Sequence, residues 1–207
     1  MITVHHLGVS QSERIVWLCE ELDIDYELKL YPRDPETMMA PESYRKLHPM
    51  GIAPIISDDE LVLAESGAII EYIITRYGKG RLAVAPDHKD YADYLFWFHF
   101  ANGTLIPIEM FGMLGDDHAL AEAFTDRGKR AYNMIDNRLG ESAYFAGDEL
   151  TAADINMFFA LTTMRNFSSR DLSGFKNIKS YLQRVGNRSA YKRAMEKSDP
   201  GMALLLE

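Results

Sequence analysis

Short β-branched and alternating runs fill the first third of the chain, and helical repeats fill the rest. "MITVHHL" (1–7) has the composition of a strand. After the turn "GVSQS", apolar residues at Ile15, Leu18, Cys19 and Leu22 recur at i, i+3, i+4, i+7, the spacing of one helix face. "YELKL" (26–30) alternates like a strand, and "YPRDPETMMAP" is a loop broken by Pro32, Pro35 and Pro41. "ESYRKL" predicts a short helix. "HPMGIAPII" enters a strand through Pro54, and "LVL" (61–63) follows the Asp58-Asp59 turn. "SGAIIEYIITRYG" predicts a helix with Ile70, Ile74 and Tyr77 on one stripe, closing at Gly78. The order βαβ, helix, two adjacent strands, helix predicts a mixed sheet of four strands.

No convincing strand follows Pro86. Tyr91, Tyr94, Leu95, Phe98 and Leu105 hold helical spacing, and Pro107 is expected to kink or end that helix. Further helices are predicted at 119–139, from "LTAADINMFFALTTM" onward, at about 175–186 and at 188–196. Thr151 and Asp154 form an acidic capping box, with Leu150 and Ile155 placed as a hydrophobic staple. The fold class is therefore α/β plus all-α. An α/β domain over residues 1–79 is joined by a linker, 80–86, to an all-helical domain, 87–207.

Composition narrows the function classes. The chain of 207 residues is 47% hydrophobic, and its formal charge of −9 argues against nucleic acid and anionic membrane surfaces as partners. One cysteine, Cys19, excludes an internal disulfide and a cysteine metal site, and its place on the apolar stripe predicts a buried, inert thiol. His5 and His6 alternate across a strand, so a shared metal is not expected. With no signal-like start and no long apolar run, a soluble, cytoplasmic protein is expected. "DPETMM" and "GDDHALAEAF" read as solvated segments, and "GMALLLE" as a docked or frayed tail.

Three local features carry candidate chemistry. Ser10 and Ser12 lie on the first strand-to-helix turn, where open α/β sheets bind ligands; either serine could cap the helix while the other faces a cleft. Pro54 opens a strand, and from spacing alone it is an ordinary trans proline. Ser66 reads as the N-cap of a helix whose first-turn N–H groups attract a carboxylate, with Glu65 placed to hold an ammonium.

"SQSER", "HPMGIAP", "ESGAIIEYI" and "LTAADI", in this order, make the chain resemble the cytosolic glutathione transferases, in their serine-type, theta- and phi-like, bacterial and fungal branch. The resemblance covers essentially the whole chain. It implies a thioredoxin-like first domain that binds glutathione as co-substrate, an all-helical second domain, no metal, and a homodimer. By resemblance Pro54 is cis, Ala53 pairs with the cysteinyl backbone of glutathione, Glu65 and Ser66 hold its γ-glutamyl end, and Ser10 is the catalytic serine. Ile52 stands where family members often carry Lys or Gln, so it offers only its backbone, and Arg33 is a candidate substitute.

The reaction implied is attack of the thiolate on a small hydrophobic electrophile, in detoxification, with organic peroxide reduction as a further activity. A thiol near pKa ~8.5 is only a few per cent ionised at neutral pH. A hydroxyl donating to S⁻ contributes roughly 1.5–3 kcal/mol, enough to lower that pKa by about one to two units. The electrophile is expected between the domains, near Phe98, Asn102, Met110 and Phe111. Two rivals are a glutathione-binding scaffold with little catalysis and a serine hydrolase built on "GVSQS".

Overall fold

The computed structural model describes residues 1–113, 121–168 and 170–207. They form two compact units, Met1–Arg81 with Arg188–Ala203, and Leu82–Asn187 with Leu204–Glu207.

The first unit is built on a four-stranded sheet. Its elements are β1 (Ile2–Leu7), α1 (Glu13–Leu22), β2 (Tyr26–Tyr31), α2 (Glu42–Arg45), β3 (Ile55–Asp58), β4 (Leu61–Ala64) and α3 (Ser66–Arg76). The strand order is β2-β1-β3-β4. β1 runs parallel to β2, and β3 runs antiparallel to both β1 and β4. This is the thioredoxin-like arrangement. Ile15, Leu18, Cys19 and Leu22 of α1 and Ile70 and Ile74 of α3 are all buried, so the predicted stripes are the core faces.

Residues 87–207 read in sequence as one helical domain, but α10 (Ser189–Ser198) packs with the first unit. The reason is a set of contacts that local pattern does not display. Tyr191 meets Trp17 edge to face at 5.2 Å. Glu20, buried on α1, takes Lys197 Nζ at 2.5 Å, Arg193 Nε at 3.0 Å and Tyr26 Oη at 2.7 Å. Burial alone would raise the Glu20 pKa; the bonds from Lys197, Tyr26 and Arg193 outweigh it and hold the carboxyl low.

The second unit is helical, with no strand among its described residues. It contains α4 (Tyr91–Phe100), a π-helical segment (Ala101–Leu105), α5 (Ile106–Gly112), α6 (Ala121–Glu141), α7 (Ala152–Leu161), α8 (Arg165–Ser168) and α9 (Lys176–Gly186). The helical spacing through 91–105 is broken as Pro107 predicts. Lacking an N–H, Pro107 sits in the first turn of α5, and the preceding five residues widen to π geometry. Leu95, expected on the core stripe, is 37% exposed, while Trp97 is buried instead. α7 is buried along its whole length. Its capping box is present, with Asp154 accepting from Thr151 N at 2.9 Å and Thr151 Oγ1 at 3.0 Å, and Leu150 and Ile155 are buried as the staple requires. Of "GDDHALAEAF", residues 115–120 lie outside the described residues, as do 119 and 120 of the predicted helix 119–139. The tail is docked: Gln183 Nε2 and Arg165 Nη1 donate to the carbonyls of Leu206 and Leu205.

Candidate active site

The parallel pairing of β1 with β2 brings the end of β1 to a turn, Gly8–Ser12, that enters α1. Val9 takes a left-handed φ of 49°, uncommon for a β-branched residue. Arg33 braces this turn, donating from Nε to the Gly8 carbonyl at 2.7 Å and from Nη1 to Met38 O at 2.8 Å. That commitment argues against Arg33 as a substitute ligand for the position of Ile52.

The two serines are stacked in depth. Ser12 is fully buried and Ser10 is 5% exposed. Neither acts as the predicted side-chain cap of α1, which has none. Ser12 Oγ turns inward, accepting from Leu7 N at 3.1 Å and lying 2.9 Å from His6 Nδ1. Ser10 Oγ lies 2.7 Å from Ser12 Oγ, accepts from Ser12 N at 3.3 Å, and reaches the Leu7 carbonyl at 2.6 Å. With a single proton, the Ser10 hydroxyl donates to Leu7 O or to Ser12, never both.

His6 joins this chain to the far end of the sequence. Its Nε2 lies 3.1 Å from Asp199 Oδ2, an ion-pair distance, although the two are out of line for a hydrogen bond. Asp199 Oδ1 accepts from Val9 N at 2.9 Å. His5 faces elsewhere, toward Tyr31 Oη and Ser57 Oγ, each at 3.1 Å.

Three strand ends meet at one edge of this unit. Ile55 pairs with His5 and with Ala64, so the start of β3 and the ends of β1 and β4 coincide. Ala53, half-buried, packs against the cluster of Leu7, Tyr44 and Ile55, and the Ala53–Pro54 peptide is cis. Ile52 is 51% exposed. Glu65 is exposed and holds φ 72°, ψ 121°, a strained conformation for a non-glycine residue. Sequence makes Ser66 the N-cap of α3, but Glu65 occupies that position. Ser66 is the first helical residue, and its Oγ donates to Gln11 Oε1 at 3.4 Å. The first intrahelical bond runs from Ile69 N to Glu65 O. The amides of Ser66, Gly67 and Ala68 therefore point out of the helix with no side-chain cap.

The glutathione S-transferase N-terminal domain matches residues 10–76, and the glutathione S-transferase C-terminal domain matches 91–189. The chain belongs to the glutathione S-transferase family. It is 34% identical to glutathione S-transferase 3 of Schizosaccharomyces pombe, over 95% of this chain and 88% of that protein. It is 28% identical to glutathione S-transferase 1 of Saccharomyces cerevisiae, over 96% and 95%. A glutathione S-transferase structure from Actinobacillus pleuropneumoniae superposes with a TM-score of 0.89 at 32% identity, covering 100% of this chain and 99% of that one. Transferase function follows from membership, and a bare scaffold is not favoured. Nor is a serine hydrolase: Ser12, the serine that touches His6, is fully buried and out of reach of an acyl group.

On the helical side of this transferase the four sequence candidates separate. Phe98 is 2% exposed and stacks on Tyr94 in the core of the second unit, so packing accounts for it. Asn102 is half-buried in the π-helical segment. Met110 is 57% exposed. Phe111 is 37% exposed, stacks on Phe124 with centroids 3.8 Å apart, and lines a cavity of about 280 Å³ with Ile108, Glu109, Ser168 and Arg170. Among the described residues no group of three or more His, Cys, Asp or Glu side chains could hold a metal ion, and no helix is long and apolar enough to cross a membrane.

Sequence reasoning missed Gln11, His6 and Asp199. Gln11 lies between the two serines and gave no motif of its own. His6 was visible only as half of a His-His pair, and Asp199 is 193 positions away from it (199 − 6), with no local signal to link the two.

Proposed function

We propose that this transferase binds glutathione along the shared edge of β1, β3 and α3 and ionises its thiol against Ser10. The observation that carries the reading is the uncapped first turn of α3 beside exposed Glu65, tied through Ser66 and Gln11 to the turn that holds Ser10. Outward amides at a helix N-terminus suit the γ-glutamyl carboxylate, and Glu65 suits its ammonium. In this reading the Ala53 main chain pairs with the cysteinyl unit, Pro54 shapes that edge, and Ile52 contributes backbone only.

The magnitudes limit what Ser10 alone can do. Turning its proton from Leu7 O or Ser12 to sulfur exchanges a neutral hydrogen bond of about 1 kcal/mol for a charged one of about 1.5–3 kcal/mol. The net gain of about 0.5–2 kcal/mol lowers the thiol pKa by roughly 0.4–1.5 units. The N-terminus of α1 acts in the same direction. The thiolate then attacks a small hydrophobic electrophile, for which Asn102, Met110 and Phe111 are the candidate residues on the second unit and Phe98 the weakest, being core. Organic peroxide reduction, a homodimer and a cytoplasmic setting belong to the same reading.

Calorimetry with glutathione tests the binding half. Glu65→Ala is expected to weaken binding about tenfold, the loss of one charged hydrogen bond. Binding unchanged in Glu65→Ala would remove the proposed head-group site.

A further inference from the structure

Ser10 is the outermost member of a buried polar chain that thiolate stabilisation by one hydroxyl does not require. Ser10 Oγ, Ser12 Oγ and His6 Nδ1 follow one another at 2.7 and 2.9 Å, and His6 Nε2 stands 3.1 Å from the Asp199 carboxylate. His6 is 1% exposed, Ser12 0% and the Asp199 side chain 8%. Burying an imidazole against a carboxylate behind two hydroxyls is costly unless the charges and protons find partners. We propose that His6, backed by Asp199, takes up the thiol proton of bound glutathione through Ser12 and Ser10. The proposal rests on the reading of Ser10 given above and extends it.

The step balances without a co-reactant. The thiol proton passes to Ser10 Oγ, the Ser10 proton to Ser12 Oγ, and the Ser12 proton to Nδ1 of a neutral His6. The products are a thiolate and an imidazolium. Every hydroxyl then donates toward sulfur: Nδ1–H to Ser12, Ser12 to Ser10, Ser10 to S⁻. Because Nδ1 of the neutral ring is the acceptor, Nε2 carries a proton throughout, and Asp199 steadies the imidazolium from that side. His6 and Asp199 touch no substrate, so they are positioning residues. The proton leaves after turnover through a cavity of about 590 Å³ lined by His6, Gly8, Tyr31, Asp199 and Met202.

The other charged and titratable groups at this end of β1 are engaged elsewhere. Arg33, from the loop after β2, is held on the carbonyls of Gly8 and Val9; burial lowers its pKa, with Tyr44 and Asp199 opposing. Tyr31 of β2 lines the cavity and hydrogen-bonds His5 rather than His6. On α1, Glu13 and Arg14 are both buried, and Glu13 acts on Arg14. The carboxylate nearest His6 Nε2 is thus Asp199.

The test is nitrogen-15 NMR of the histidine side chains in the full chain, with His6 assigned through His6→Gln. Spectra are taken free, with glutathione, and with S-methylglutathione, which has no thiol proton to give. The expected result is a neutral His6 in the free protein and with S-methylglutathione, and an imidazolium with glutathione. Asp199→Asn is expected to abolish that imidazolium and to lower kcat/KM about tenfold, as one unit of thiol pKa requires, with glutathione binding unchanged. Should Asp199→Asn fail to fold, His6→Gln is read for the same rise in thiol pKa. An imidazolium already present without glutathione, or the same His6 charge with both ligands, overturns the relay. If Ser10→Ala still raises the bound-thiol pKa in that case, Ser10 acts alone and the functional reading stands. A bound-thiol pKa unmoved by Ser10→Ala sinks both.

Discussion

Two aspartates, one in each unit, show how differently this transferase uses a carboxylate: Asp154 is fully buried, and Asp199 is half-buried with its side chain turned in. Asp154, at the start of α7, is fully enclosed and saturated. It accepts from Phe145 N at 3.0 Å, Thr151 N at 2.9 Å, Thr151 Oγ1 at 3.0 Å and Tyr181 Oη at 3.1 Å. Asp199 is half-buried, its side chain 8% exposed; among the described residues it makes one aligned bond, from Val9 N, and faces His6 without a second. A buried acceptor with every lone pair occupied fixes a structure. One with capacity in reserve can respond to a change of charge next to it. The contrast assigns stability to Asp154 and function to Asp199.

The largest expected effect is at Asp154. Asp154→Ala leaves the amides of Phe145 and Thr151 and the Tyr181 hydroxyl without their acceptor, so a loss of about 3 kcal/mol or more is expected in denaturant melts. Asp199→Ala strands one amide and is expected to cost about 1–3 kcal/mol. Equal losses at the two positions would erase the distinction.

A pH series sharpens it. Burial raises the Asp154 pKa to about 6, ahead of the opposing hydrogen bonds from Phe145, Thr151 and Tyr181. With the folded value above the unfolded one, the proton favours the folded state. The contribution is complete below about pH 4 and lost as pH rises through about 6, up to about 3 kcal/mol in all. Asp154→Asn should flatten that part of the stability curve, and an unchanged slope would contradict the assignment.

Glu20 is a third case, between the two. It ties α10 to α1 through Lys197 and Arg193, whose side chains are half exposed. Glu20→Ala is therefore expected to cost about 1–2 kcal/mol and to increase amide exchange in α10, read by mass spectrometry. Protection of α10 equal to wild type would show that Tyr191 against Trp17 suffices.

The smallest effect is at the chain's single cysteine. Cys19 is fully buried, and burial pushes its pKa far above that of a free thiol, with Glu20 acting in the same direction. Iodoacetamide should leave it unmodified in the folded protein and alkylate it after unfolding. Rapid labelling under native conditions would contradict its burial.

What could be read in the sequence was what repeats locally. The stripe of α1, the strand alternation, the Thr151–Asp154 box and the switch to helices after Pro86 each lie within a few residues, where periodicity and capping chemistry act. The turn holding Ser10 was legible for the same reason. The π-helical segment was not, because Pro107 announces a break without its geometry. Ser66 resembled a cap because its rivals for the hydroxyl, Gln11 above all, are distant in sequence. The return of α10 to the first unit, and with it Asp199 beside His6, depends on packing that no window of sequence contains.

The central claim is that the Ser10 hydroxyl ionises the thiol of bound glutathione. The direct measurement is the thiolate ultraviolet absorbance of the glutathione complex across pH, for the natural protein and for Ser10→Ala at matched occupancy. The account predicts a thiol pKa below that of free glutathione in the first and a rise of about one unit in the second. Superimposable titration curves would contradict it.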